Sequence, residues 1–207
     1  RIFGGNVGLQ LKKNDAKINN TIIHTFQNIG IYGIAADITA NNLVMNNCGE
    51  ADLAIAGGGT YNLSYCTIAN YWDLNSSMPA VGIFASNIYQ NGDERVVGHP
   101  VLNVKNSIVY GDVPDMIAYT KIDGGSFITD FKNSLLKFTS NSGLNPDNSN
   151  IKNEDPKFQN YFTQKMNLRV KDDSPAKKKG TNLNNNNTIK DIVGITRTYP
   201  ATLGAYQ

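Results

Sequence analysis

Cysteine, histidine and tryptophan are nearly absent from these 207 residues, with two, two and one of each. Two cysteines, Cys48 and Cys66, exclude a disulfide-dense scaffold and do not name a redox compartment. Two histidines that belong to no Cys/His cluster leave no zinc spacing, and no Asp-x-Asp-x-Asp-Gly loop is present to hold calcium. Charge is sparse as well: 17% of residues are Asp, Glu, Lys or Arg, against about 25% in an average domain. A formal net charge of +2 gives no electrostatic footprint for nucleic acid. No apolar run approaches the roughly 18 residues of a membrane-spanning helix. The chain starts at Arg1 without a charged-then-apolar leader, so any export signal is expected upstream of it.

Asparagine supplies the missing polarity, at 29 of 207 residues. It is not scattered. Five six-residue segments align: Ile18 to Ile23, Ala40 to Met45, Leu63 to Ile68, Val104 to Val109 and Phe131 to Leu136. Their starts are spaced by 22, 23, 41 and 27 residues, and the 41 reads as one repeat plus an insertion. A period in the low twenties without a Leu ladder or a helical return points to a solenoid of strands. The fold class expected is all-β, a right-handed parallel β-helix whose coils stack at about 4.8 Å. The third position of the repeat is Asn20, Asn42, Tyr65, Asn106 and Asn133. Asn tolerates the left-handed backbone of a sharp corner, and stacked amides can bond as a ladder.

Strand alternation beyond that corner places Ile23, Met45, Ile68, Val109 and Leu136 inward. It places Ile22, Val44, Thr67, Ile108 and Leu135 outward, an apolar stripe that needs a cover. Residues 1–140 are read as coils, with an insertion over 86–100 turning at Asn91-Gly92. Residues 141–207 are read as an irregular C-terminal segment packed on the helix. Phe158, Tyr161, Phe162, Leu168, Val170, Ile192 and Val193 are the expected cover, burying at least three of the stripe residues.

That segment carries an ordered set of motifs: Asp155-Pro156-Lys157-Phe158, Asn167-Leu168-Arg169-Val170, and Ser174-Pro175-Ala176 with Gly180. Asp191, Gly194 and Arg197 follow, and then Leu203-Gly204-Ala205-Tyr206-Gln207. In this order they resemble the C-terminal region of the choice-of-anchor Q domain proteins. Leu203 and Gln207 stand where Ile and Glu are usual, and Lys177-Lys178-Lys179 replaces a usual Ile-Asp-Ala. The resemblance implies an exported bacterial β-helix, of a kind common in Bacteroidetes, attached at the cell surface or outer membrane by an anchor not visible in this chain. It carries no catalytic motif.

The functional expectation is a non-catalytic module that binds glycan or serves as an accessory subunit of an outer-membrane assembly, its partner a polysaccharide or a surface protein. The alternatives are a polysaccharide lyase or related carbohydrate-active enzyme, and a structural spacer. A lyase needs a base at the carbon next to a uronate carboxyl and a cation for the developing charge. The catalytic-type side chains that cluster are Asp93, Glu94, Arg95 and His99, all in the insertion. His24 shares an outward column with Asn46 and Tyr110 and no acid, and reads as a surface histidine. Aromatic faces stack on sugar rings, which makes Tyr71, Trp72, Tyr110 and Tyr119 candidate ligand contacts, with Tyr32, Tyr61 and Tyr89 as further aromatics. No metal or other cofactor is expected. Glu50, Asp52, Asp112 and Asp115 are oxygen ligands of the kind that could hold Ca²⁺, but they are scattered across coils.

Overall fold

A computed structural model describes residues 1–72, 80–123, 125–162 and 165–207. The first coil runs through β1 (Ile2–Phe3), β2 (Val7–Lys12) and β3 (Asp15–Asn19), and the second through β4 (Ile22–Phe26), β5 (Ile29–Ile34) and β6 (Asp37–Asn41). The third is β7 (Val44–Cys48), β8 (Ala51–Ala56) and β9 (Thr60–Ser64). The fourth is β10 (Thr67–Asn70), β11 (Val81–Ser86), a hairpin of β12 (Ile88–Asn91) and β13 (Glu94–Val97), then β14 (Val101–Lys105). The fifth is β15 (Ile108–Gly111), β16 (Ile117–Thr120) and β17 (Ile128–Lys132). Strands β18 (Leu135–Leu136) and β19 (Ile151–Lys152) extend the first face, and β20 (Phe158–Asn160) and β21 (Asn167–Val170) form a second hairpin in the tail.

Strands of successive coils pair in parallel, and the chain is a parallel β-helix with three sheets as its faces. Sheet A takes the order β1-β4-β7-β10-β15-β18-β19, sheet B the order β16-β11-β8-β5-β2, and sheet C the order β17-β14-β9-β6-β3. Sheet A thus continues past residue 140, because Ile151 pairs with Leu135.

The register follows the repeat. Ile18, Ala40, Leu63, Val104 and Phe131 are successive partners across sheet C, and each is buried in the coil interior. Two residues on, Asn20, Asn42, Tyr65, Asn106 and Asn133 all take positive φ, between 49° and 53°. This corner is left-handed at every coil, a conformation that costs most residues about 1–2 kcal/mol and Asn less. Beyond it, Ile23, Met45, Ile68, Val109 and Leu136 are fully buried in the core. At the same bend three amides meet a side chain from the next coil: Cys66 N donates to Ser107 Oγ (2.9 Å), Ser107 N to Ser134 Oγ (3.1 Å) and Ser134 N to Asn150 Oδ1 (3.0 Å).

The corner amides do not form one continuous ladder. Asn42 Nδ2 donates to Asn20 Oδ1 (2.9 Å), but it also donates to the carbonyls of Asn187 and Lys190 in the tail. Asn106 exchanges bonds with the Thr181 backbone, donating at 2.8 Å and accepting at 3.1 Å. Tyr65, the one departure from Asn, carries the Arg197 guanidinium 3.9 Å above its ring and donates its hydroxyl to Thr181 O. The corner is therefore where the tail is fastened.

The tail motifs are the fasteners. Asp191 accepts from the amides of Val193 and Ile195 with one oxygen and from Gln207 N with the other. Arg197 donates through Nη2 to Asn42 Oδ1, Gly204 O and Ala205 O. Ser174 Oγ donates to Pro156 O and accepts from Ala176 N. Gly204 has φ +87°, and a Cβ there would stand 2.5 Å from Thr67 Oγ1.

So held, the tail forms a second apolar layer on sheet A, in which Phe158, Leu168, Val170 and Ala176 pack on Val44, Ile108 and Leu135. Val44, Thr67, Ile108 and Leu135 of the outward stripe are buried and Ile22 is half-buried. Thr67, the polar member, accepts from Ala205 N at 3.0 Å. Burying each aliphatic side chain contributes about 1.5–3 kcal/mol. Phe162 and Val193 do not take part and remain exposed.

Candidate functional site

The three outer faces differ. Sheet A is under the tail. Sheet C presents the polar column Lys17, Thr39, Asn62, Asn103 and Asp130, with Asn103 donating to Asn62 at 2.8 Å. Sheet B presents a groove of about 880 Å³ with a mostly apolar lining.

The groove floor is one outward column, Tyr32, Ala54, Phe84 and Ala118, on consecutive coils. Large and small residues alternate along it. Tyr32 and Phe84 sit two coils apart, about 9.6 Å at the usual strand spacing, and Ala54 leaves a notch between them. One wall is the β12–β13 hairpin, contributing Ile88, Tyr89 and Gln90. The other is the corner between sheets A and B, contributing Val113, Pro114, Asp115 and Glu50.

The hairpin is the insertion. Its strands are antiparallel, with Asn91 opposite Glu94, so the two-residue turn is Gly92-Asp93, one position later than Asn91-Gly92. It is pinned across the sheet by a small cluster of Ile34, Ala56 and Tyr89 with Tyr32 and Val96. Glu94 pairs with Lys12 and, at 3.3 Å, with Lys13 of the first coil. Lys12 Nζ stands 5.2 Å from the Tyr89 ring centroid. The return leg passes the corner closely enough that a Cβ on Gly98 would lie 2.4 Å from Gly57 O.

The insertion residues proposed for chemistry do not line the groove. Arg95 and Asp93 are exposed on the hairpin, Arg95 opposite Gln90, and Glu94 is held by the two lysines. His99 lies beyond the hairpin, where its Nδ1 accepts from Ser126 N at 3.1 Å. The four candidate aromatics also have other partners. Tyr71 is buried in the tail layer, stacked on Tyr161 at 4.5 Å and edge-on to Phe158 at 6.4 Å. Trp72 packs beside Gly49. Tyr110 is half-buried with Lys137 Nζ 4.9 Å from its ring, and Tyr119 packs on Phe127 at 4.9 Å. The aromatics of the groove are Tyr32, Phe84 and Tyr89. Phe84 was findable as the outward position of Val81–Ser86.

Comparison with family models, curated proteins and solved structures finds no match to this chain. Its chemistry has to be read from the groove itself.

Tyr32 and Tyr89 face each other at 6.5 Å between ring centroids, inclined by 59°. Burial raises the Tyr32 hydroxyl pKa, with Tyr89 and Glu50 adding to the shift, so the phenol stays protonated at neutral pH. Asp115 accepts from the amide and hydroxyl of Thr139, at 2.5 and 3.0 Å, and so braces the corner loop. Glu50 is exposed, and its carboxylate has no hydrogen bond among the described residues. Among the described residues no lysine, arginine or histidine lines the groove. The described lining offers flat apolar faces, hydroxyls, and carboxylate and amide acceptors.

Elsewhere, His24 is half-buried, accepts from Arg1 Nε at 2.8 Å and stacks on Phe3. Burial, followed by the Arg1 charge, lowers its pKa. The acids considered for Ca²⁺ part company: Asp52 is in the core, Glu50 and Asp115 are at the groove, and Asp112 is exposed. Among the described residues no three His, Cys, Asp or Glu side chains gather as a metal site. Cys48 and Cys66 are free and buried, and burial pushes the Cys66 thiol up to about 12. No helix among the described residues is long and apolar enough to cross a membrane.

Proposed function

We propose that this chain is an exported, cell-surface β-helix module, of the choice-of-anchor Q kind its tail resembles, that binds glycan in the sheet B groove without transforming it. The observation that carries this reading is that one outer face of three is apolar and, among the described residues, open. A sugar ring has apolar C–H faces and hydroxyl edges, and suits tyrosine and phenylalanine faces with carboxylate and amide acceptors beside them. An extended peptide suits it less. The floor strands β5, β8 and β11 are paired on both sides, so a peptide crossing them would leave its own amides unpaired against an apolar floor.

The test pairs a glycan array with an assay for unsaturated uronate products. The expected result is retained glycan without product, and loss of retention in Ala54→Trp, which fills the notch. Release of unsaturated product would replace this reading with a lyase. Undiminished retention by Ala54→Trp would move binding off this face.

A further inference from the structure

The charge of the groove restricts which glycan it takes. Among the described residues the carboxylates of the lining are Glu50 and Asp115, both on the corner wall, and no lysine, arginine or histidine lines it. Lys12, whose ammonium approaches the Tyr89 ring, is paired with Glu94. A uronate or sulfated chain would therefore bring like charge to that wall with no cation in the described lining to meet it. The two acids are not equivalent. Asp115 is engaged by Thr139, whereas both carboxylate oxygens of Glu50 are without a hydrogen bond among the described residues, and Glu50 lies close enough to Tyr32 to influence its hydroxyl. A carboxylate can accept from two adjacent hydroxyls, and such charge-assisted bonds are about twice as strong as neutral ones.

We propose that the groove is selective for an uncharged saccharide chain, with one ring over Ala54 between Tyr32 and Phe84 and adjacent hydroxyls donating to Glu50. Uronate and sulfated chains are excluded by the same carboxylates. This rests on the reading of the groove as a glycan site and adds the identity of its ligand class.

The experiment is calorimetric titration of the intact chain with hexasaccharides of matched length. The neutral set is gluco-, manno-, xylo- and galacto-hexaose, and the acidic set is oligogalacturonate, oligomannuronate and a sulfated galactan. The best neutral member is expected to bind at least about tenfold tighter than any acidic one, a difference of about 1.4 kcal/mol. Glu50 is exposed, so Glu50→Lys should fold. It should weaken the neutral ligand at least tenfold and strengthen an acidic one, and Glu50→Gln should fall between. An acidic chain bound as tightly as the best neutral chain overturns the selectivity, as does Glu50→Lys leaving both unchanged. In either case Ala54→Trp separates the two readings. If it abolishes binding, only the selectivity is wrong; if it changes nothing, the groove is not the glycan site. Failure of every saccharide to bind overturns both.

Discussion

Asp52 should be a liability to this fold, and replacing it should stabilise the protein. It occupies β8 in a column whose neighbouring coils carry Gly8, Gly30 and Gly82. The carboxyl is fully buried, and neither oxygen has a hydrogen-bond partner among the described residues. The Cys48 thiol and amide are close enough to interact with it but are not in hydrogen-bonding geometry. A buried polar group left unpaired costs about 1–3 kcal/mol. Burial also raises the Asp52 pKa well above the carboxylate range, with Cys48 only partly opposing the rise. The folded state therefore keeps this proton to higher pH than the unfolded chain does. The stability it contributes is fully present below the unfolded pKa of about 3.9 and is lost as pH rises towards the native value, by at most about 1.4 kcal/mol per pH unit. Asp52→Ala removes both costs and leaves a small cavity, so a net gain of about 1–2 kcal/mol is expected at pH 7. Urea unfolding of both proteins from pH 4 to 8 measures it. The difference curve should widen as pH rises. A variant that is less stable at pH 7, or a difference that is flat across the range, would refute the reasoning.

Three further outcomes follow from the clasp and the hairpin. Arg197→Leu should destabilise by about 3 kcal/mol, because Asn42 Oδ1 and the carbonyls of Gly204 and Ala205 lose a buried charged donor and Tyr65 loses its cation; thermal melts and dye binding to exposed apolar surface read this together. Gly204→Ala should lower the melting temperature and loosen the C-terminus in hydrogen exchange, since its φ is +87° and the new Cβ meets Thr67. Glu94→Gln should change stability by less than about 1 kcal/mol, because its pairs with Lys12 and Lys13 are surface ion pairs; a larger loss in urea unfolding would mean the hairpin is held by charge rather than by Tyr89 and Val96.

The coil was legible because one physical requirement recurs at every turn. A left-handed corner recurring after 22, 23, 41 and 27 residues selects Asn at four of its five positions, and the strand after it alternates. Tyr65 breaks that pattern for a reason no local rule contains: it receives Arg197 from 132 positions later in the chain. The groove was harder to see. Tyr32, Ala54, Phe84 and Ala118 are ordinary outward positions, and so are Val44, Ile108 and Leu135. Their difference lies in what covers them, which is decided by tail docking. The same docking explains why Tyr71 was misleading, since an aromatic at a strand end serves equally as a sugar platform or as packing for Phe158 and Tyr161. The charged insertion drew attention to Arg95 and His99, while the hairpin turns Ile88 and Tyr89 to the groove.

The most direct test of the account is methyl-resolved NMR of the intact chain during titration with the tightest-binding neutral hexasaccharide. Perturbations should concentrate in the methyls of Ile29, Ala54, Val81, Ala118 and Val113 around the groove, and those of Val44, Ile108, Leu135 and Leu203 in the layer between sheet A and the tail should stay unmoved. Saturable shifts confined to the tail layer or to the Thr39 and Val101 methyls of sheet C, with the groove methyls silent, would contradict the assignment of sheet B as the binding face.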